Sequence, residues 1–279
     1  MANQTFLVTG AAGFVGSYVV RELVRAGAIV RGLARKESQL ASIREAGAEP
    51  ALGDVTDRAS LDRAMTGVTG VFHIAALFRQ ADQPDSAYQA VNVEGVRQVF
   101  DSAIAAGVSR IIHCSTGGVL GHIEHPPADE TTPCHPGDVY QRSKLEGERV
   151  ALDYFRSGRM RGVVIRPAMI YGPGDTRTLK MFRMIAKKRF FYVGRGNNLV
   201  HFIDVRDLAR AFRLAMERID LQNQIYIIAG ARAYALREVA ERLAREMNVA
   251  PPWIRLPVKP VQILGSLCEA VCVPMGIQP

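Results

Sequence analysis

A strand-like run, Thr5-Phe6-Leu7-Val8-Thr9, passes directly into Gly10-Ala11-Ala12-Gly13-Phe14-Val15-Gly16, and no other feature narrows the fold as far. Glycines at this spacing allow a tight turn out of the strand, close approach of backbone to a phosphate, and close packing of the next helix on the strand. Residues 15–26 are amphipathic, so the turn opens a helix whose first N–H groups and positive dipole end suit a phosphate. The alternation then repeats. Residues 29–33, 49–52, 70–74, 110–114 and 162–165 are short apolar runs, and 39–46, 61–65, 88–106 and 140–157 have helical periodicity. Apolar strands alternating with helices predict an α/β fold, a doubly wound parallel sheet of the Rossmann kind covered on both faces. Gly27, Gly47 and Gly107 each follow a helical run by one or two residues, where a left-handed helix stop is expected.

Near Arg166-Pro167 the pattern changes to shorter elements broken by prolines and glycines. We expect a dinucleotide-binding domain over 1–166 and a smaller C-terminal substrate-binding lobe over 167–279, with a segment near 224–228 returning to the main sheet. The net charge of +8 comes mostly from scattered arginines. Without a reading module it predicts no nucleic-acid partner, and it suits an anionic small molecule or a solvated surface. Four cysteines in 279 residues do not form a disulfide framework. The N-terminus lacks a secretory pattern, and no run of 18 apolar residues occurs. A cytoplasmic protein without a membrane span is expected. Cys268 and Cys272, four apart on one helix face, read as core residues.

Which cofactor is bound should be decided where the second strand ends. A carboxylate there holds a ribose 2′-hydroxyl, whereas arginine accommodates a 2′-phosphate. The chain reads Leu33-Ala34-Arg35-Lys36, which favours NADP, with NAD possible and a plain surface role the alternative. Gly53-Asp54-Val55 and Ile74-Ala75-Ala76 end the third and fourth strands, the edge where such folds bind ligands. Asp54 suits the adenine amino group, or else a local turn or helix cap.

Tyr140 and Lys144 are four apart on a helix following the fifth strand, and so share a face. Free tyrosine, with a pKa near 10, is a poor base. A lysine cation about 5 Å away at an effective dielectric near 20 favours phenolate by roughly 3 kcal/mol, about two pKa units. Lys144 also suits the nicotinamide ribose hydroxyls. Ser115 and Thr116, ending the fifth strand, both qualify as the hydroxyl that would hold a carbonyl oxygen beside Tyr140. The histidine-bearing stretch His122-x-x-His125…Cys134-His135 has no coherent metal spacing, so no metal is expected.

With Val8-Thr9-Gly10-Ala11-Ala12-Gly13-Phe14-Val15-Gly16, Gly53-Asp54, His73-Ile74-Ala75-Ala76, Asn92-Val93-Glu94-Gly95, Tyr140…Lys144, Arg166-Pro167, Tyr171-Gly172-Pro173-Gly174 and Phe202-Ile203-Asp204-Val205-Arg206-Asp207 in order, the chain resembles the extended short-chain dehydrogenase/reductase superfamily, NAD-dependent epimerase/dehydratase branch. The resemblance implies a catalytic set of Tyr140, Lys144 and a hydroxyl that falls, counted back from Gly121, on Thr116. It further implies that Asn92 supports the proton relay and that Ala75 and Pro167 border the cofactor. His201, before the Phe202–Asp207 motif, and Tyr171 are weaker candidates for substrate contact. Arg35 departs from the acidic residue of family epimerases and resembles the reductase side, dihydroflavonol-reductase-like and cinnamoyl-CoA-reductase-like proteins. Other features resemble hopanoid-associated sugar epimerases and 3β-hydroxysteroid-dehydrogenase-like proteins. Relatives usually continue several tens of residues further, and homodimers built on the helices over 88–106 and 140–157 are common among them. The leading expectation is an NAD(P)-dependent oxidoreductase moving hydride between the nicotinamide and a carbonyl or alcohol carbon. A nucleotide-sugar epimerase or dehydratase with a recycled cofactor is the alternative. A non-catalytic NADP-binding redox sensor comes third, because such proteins tend to lose the tyrosine or lysine.

Overall fold

A computed structural model describes residues 1, 4–80 and 83–272; Met275-Gly276-Ile277-Gln278-Pro279 lies outside them. The chain begins β1 (Thr5–Thr9), α1 (Phe14–Arg25), β2 (Ile29–Ala34), α2 (Leu40–Glu45), β3 (Glu49–Leu52), α3 (Arg58–Met65), β4 (Gly70–His73), α4 (Asp85–Gln89), α5 (Gly95–Ala105), β5 (Arg110–Cys114), α6 (Val139–Arg156) and β6 (Gly162–Pro167). It continues through β7 (Met169–Tyr171), α7 (Leu179–Ala186), β8 (Tyr192–Val193), β9 (Leu199–Asp204), α8 (Val205–Glu217), β10 (Ile225–Ile228), β11 (Ala233–Ala235), α9 (Leu236–Glu246), β12 (Arg255–Leu256) and α10 (Val258–Cys272). These elements divide into two units, Met1–Ile170 with Ile203–Ile228, and Tyr171–Phe202 with Ala229–Pro279.

The first unit is built on a seven-stranded sheet in the order β10-β6-β5-β4-β1-β2-β3, every pair parallel. Alternate residues of the strands feed opposite faces, as the period of two requires. Phe6, Val8, Ile112, Val163 and Ile165 pack with Val19, Val20 and Leu23 of α1 and Leu208 and Phe212 of α8. Leu7, Ile111 and Val164 pack with Leu61 of α3, Val96 and Phe100 of α5 and Phe155 of α6 on the other side. After β3 the chain returns across β1 to place β4, so the strand order reverses between β1 and β4. The carboxyl ends of those two strands flank the crevice where such sheets take their ligands.

One predicted helix is not continuous. The periodic run over 88–106 is broken by a π-turn at Ala90–Glu94 between α4 and α5. The extra residue in that turn brings the Asn92 carbonyl against α6: a Cβ on Gly147 would lie 2.0 Å from that oxygen. A glycine is therefore required where the two helices touch.

The second unit has a small core of Ile185, Tyr192, Ala240 and Ala244. There β11 runs antiparallel to residues 199–201 of β9, and β12 runs parallel to β8. Cys268, expected in a core from its spacing, is exposed. Val258 and Ile263 of the same helix are exposed too, and the side chain of Cys272 lies outside the described residues. Among the described residues no helix is long and apolar enough to cross a membrane.

Candidate active site

At the end of β1 the Thr9 side chain braces two strands. Its Oγ1 accepts the Ile74 and Ala75 N–H groups, both at 3.1 Å, and shares a hydrogen bond with Nδ1 of His73 at 2.8 Å. The brace fixes Ala75 so close to Gly10 (φ +69°) that a Cβ on Gly10 would lie 3.0 Å from the Ala75 backbone. A Cβ on Gly16 would lie 2.1 Å from the Gly10 carbonyl oxygen, so α1 closes directly on the turn. Gly13 caps α1 without a side-chain bond, and no acidic residue occupies the first turn beside Phe14 and Val15. This is an uncapped positive helix end on a glycine cradle, a fit for a dinucleotide phosphate.

The end of β2 is tied to the same turn by the Ala11 N–H, 3.3 Å from the Leu33 carbonyl. Two residues on, Arg35 is exposed and makes no hydrogen bond or ion pair among the described residues. Asp54, after β3, uses Oδ1 to accept both the N–H and the hydroxyl of Thr56 at 2.9 Å. Asp57, not Asp54, caps α3. Val55 is buried, and Ala76 is exposed at the exit of β4.

Polar groups are concentrated beneath α6. Lys144 is buried, and its Nζ donates to the Cys114 carbonyl at the end of β5, 2.7 Å away. Burial lowers the ammonium pKa, while the Cys114 thiol and the Glu148 carboxylate oppose that shift. Burial likewise raises the Cys114 thiol to about 11. The rings of His73 and His113 lie 5.2 Å apart in the same region. Burial, aided by the Lys144 charge, drives His73 down to about 3 and His113 well below the usual histidine range. The neighbourhood of Lys144 is thus dry, and both imidazoles are neutral at physiological pH.

Asn92, buried in the π-turn, accepts the Leu77 N–H at 2.8 Å and donates to the Leu77 carbonyl at 3.0 Å and to Ser143 Oγ at 2.9 Å. Ser143 donates to the Tyr140 carbonyl at 2.9 Å. Asn92 therefore ties the exit of β4 to the turn of α6 that carries Tyr140. The Tyr140 ring is 8% exposed and meets Phe78 edge-on at 4.9 Å. Of the two hydroxyls after β5, Ser115 is buried with no partner for Oγ among the described residues. Thr116 is half-buried, and its Oγ1 accepts the Gly118 N–H at 3.1 Å, which leaves its own proton to donate. Pro167 is buried at the end of β6; a Cβ on Gly117 would lie 3.0 Å from its carbonyl oxygen.

The first unit thus carries Gly10, Gly13, Gly16, Ala75, Asn92, Thr116, Tyr140, Lys144 and Pro167 at or beside the carboxyl ends of β1, β4, β5 and β6. Tyr171 and His201 belong to the second unit, where Tyr171 meets Phe202 edge-on at 5.7 Å and His201 Nε2 lies 2.7 Å from the Gly230 carbonyl. Sequence reasoning gave no role to Thr9, the two buried histidines, Ser143 or Gly147. A hydroxyl ending a strand just before the glycine turn was the one available signal for Thr9.

The fold and this edge define a nicotinamide-dinucleotide enzyme of the extended short-chain dehydrogenase/reductase type. Residues 6–229 match the NAD dependent epimerase/dehydratase family, and the chain belongs to that family. It is 32% identical over 273 residues to Sterol demethylase protein B of Methylococcus capsulatus, covering 95% of this chain and 81% of that one. It is 34% identical over 271 residues to Cinnamoyl-CoA reductase 1 of Oryza sativa subsp. japonica, covering 87% and 77%. The crystal structure of gox2253 superposes with a TM-score of 0.85 at 33% identity, covering 99% of this chain and 85% of that one.

Proposed function

We propose that this enzyme is an NADP-preferring oxidoreductase acting on a carbonyl or alcohol carbon. One observation carries the reading: Lys144 is buried and pinned to the end of β5, on the helix that carries Tyr140 and beside the strand end that carries Thr116. The glycine cradle and the α1 terminus would hold the cofactor phosphates, Arg35 a 2′-phosphate, and Lys144 the nicotinamide ribose. When bound, the cofactor supplies or takes the hydride. Tyr140 gives its hydroxyl proton to the substrate oxygen during reduction and takes it back during oxidation. Lys144 favours the phenolate, and the Thr116 hydroxyl donates to the same substrate oxygen. Asn92 and Ser143 hold the Tyr140 turn in place. Tyr171 and His201 are proposed substrate contacts whose loss would be read in KM. A cytoplasmic homodimer is the setting proposed for it.

The likeness to a protein named as a cinnamoyl-CoA reductase, together with Arg35, supports reduction as a net reaction. The family description supports the second reading, an epimerase or dehydratase that regenerates its cofactor in each cycle. Oxidation of NADPH by a panel of aryl and alkyl aldehydes and ketones separates the two. Net consumption that falls 10²- to 10⁴-fold in Tyr140→Phe is the expected outcome. Turnover of nucleotide sugars without net NADPH consumption would replace the first reading by the second.

A further inference from the structure

The segment that leaves β4 carries a second cation onto the reactive tyrosine. The guanidinium carbon of Arg79 lies 5.4 Å from the centre of the Tyr140 ring and 5.7 Å from that of Phe78. Its Nε and Nη2 both donate to Oδ2 of Asp138, at 2.8 and 2.6 Å. Oδ1 of the same carboxylate accepts the Gln141 N–H at 2.7 Å, so Asp138 caps α6 and anchors Arg79 at once.

An ion pair this exposed, with side chains 51% and 39% accessible, adds little stability on its own. Its placement is what matters. Asp138 is fixed by the helix cap, Phe78 by its edge contact with Tyr140, and Arg79 is held between them at the aromatic ring. A cation near a phenol ring favours the ionised hydroxyl, and a carboxylate beside that cation offsets part of the effect. Among the described residues, the charged and titratable groups near Tyr140 include Lys144 on its own helix, Arg79 on the β4 exit, Asp138 at the cap, and Tyr88 of α4, which packs in the same cluster. Lys144 is buried, whereas Arg79 and Asp138 face solvent.

We propose that Arg79 is a positioning residue that sets the charge balance at Tyr140, with Asp138 as its counterweight. The inference rests on the reading of Tyr140 as the proton carrier. Lys144 supplies the fixed, buried part of the field, and the Arg79–Asp138 pair supplies the outer part.

The test follows the Tyr140 hydroxyl directly, in the full-length protein with ¹³C at the tyrosine ζ carbons, the resonance being assigned by its loss in Tyr140→Phe. Arg79→Gln is expected to raise the titration midpoint of Tyr140 by about half to one pH unit. Asp138→Asn, which can still cap α6, is expected to lower it by a similar amount. Arg79→Lys keeps the charge and should restore most of the wild-type midpoint. A merely structural pair would move both midpoints in the same direction or leave them within about 0.2 unit of wild type, and either result overturns the proposal. No turnover is read. Opposite shifts in a protein that reduces no carbonyl would retain this inference and defeat the proposed function; unmoved midpoints in an active reductase would do the reverse.

Discussion

The two ends of the cofactor crevice are built by opposite means. Under α6, Lys144, Ser143, Asn92, His73 and His113 are all buried, and all but His113 have a hydrogen-bond partner on another element or turn. At the end of β2, Arg35 is exposed and unpartnered among the described residues. An unmatched buried polar group costs about 1–3 kcal/mol, so the bonds made by Lys144, Ser143, Asn92 and His73 hold that end in place. An exposed arginine has no such constraint and can be exchanged without disturbing the core. Under the proposed function, chemistry is fixed at the buried end, and selection between cofactors is left to the exposed end.

The sharpest way to break this contrast is Lys144→Met. The methionine keeps the apolar stem and removes a charge from a dry site but leaves the Cys114 carbonyl without this donor, so stability should fall by no more than about 1–3 kcal/mol. Turnover should nevertheless fall on the order of 10³-fold, because Tyr140 loses the cation beside it. Comparison of denaturant midpoints with NADPH oxidation rates checks both halves; a fall in stability as large as the fall in activity would make Lys144 a structural residue. Next in size is Gly147→Ala. Its methyl would meet a backbone oxygen that cannot swing aside, and about 3 kcal/mol of stability should be lost. Gly137→Ala is the control, since its nearest neighbour is a side-chain oxygen at an ordinary 3.5 Å.

Acid should attack the buried end in a defined window. His73 has a folded-state pKa of about 3, below the value of about 6.5 for the unfolded chain, so between those limits the unfolded chain binds the extra proton. The stabilising contribution is complete above pH 6.5 and lost as pH falls towards 3. For His73 it amounts to about 2 kcal/mol between pH 7.5 and 5. His113, shifted in the same direction, adds to it. His73→Asn, which keeps a polar group near Thr9, should flatten the pH dependence of the denaturant midpoint; an unchanged slope would place the acid sensitivity elsewhere.

Legibility in the sequence follows the same division. The sheet and the α1 cradle could be read because glycine spacing and apolar strands are local signals, and Tyr140 with Lys144 because helical spacing puts them on one face. The π-turn at Ala90–Glu94 was missed, since the periodicity of 88–106 is helical on both sides of it and the residue it meets, Gly147, lies more than fifty residues away. His113 was missed for a related reason. Nothing beside it in sequence indicates that its ring is buried, or that another imidazole lies 5.2 Å from it. Cys268 shows the converse failure, a local spacing that implied a core where the side chain is exposed. Long-range contacts between polar groups leave no periodic trace in either partner.

The smallest effect is expected at the exposed end, and it is also the most selective. If Arg35 holds a 2′-phosphate, Arg35→Ala should weaken NADPH binding about tenfold, or about 1.4 kcal/mol, in calorimetric titration, and leave NADH unchanged. A guanidinium in solvent is screened, so the loss should shrink as ionic strength rises from 0.05 to about 0.5 M. Stability should stay within about 0.5 kcal/mol of wild type, because no side-chain partner is left behind. Arg35→Asp should go further, adding repulsion to the 2′-phosphate while offering the ribose hydroxyls an acceptor, so that preference moves towards NADH. Equal weakening of both cofactors by Arg35→Ala would mean that this residue supports the crevice rather than reading the phosphate, and the contrast between a fixed and an exchangeable end would fail at its exchangeable side.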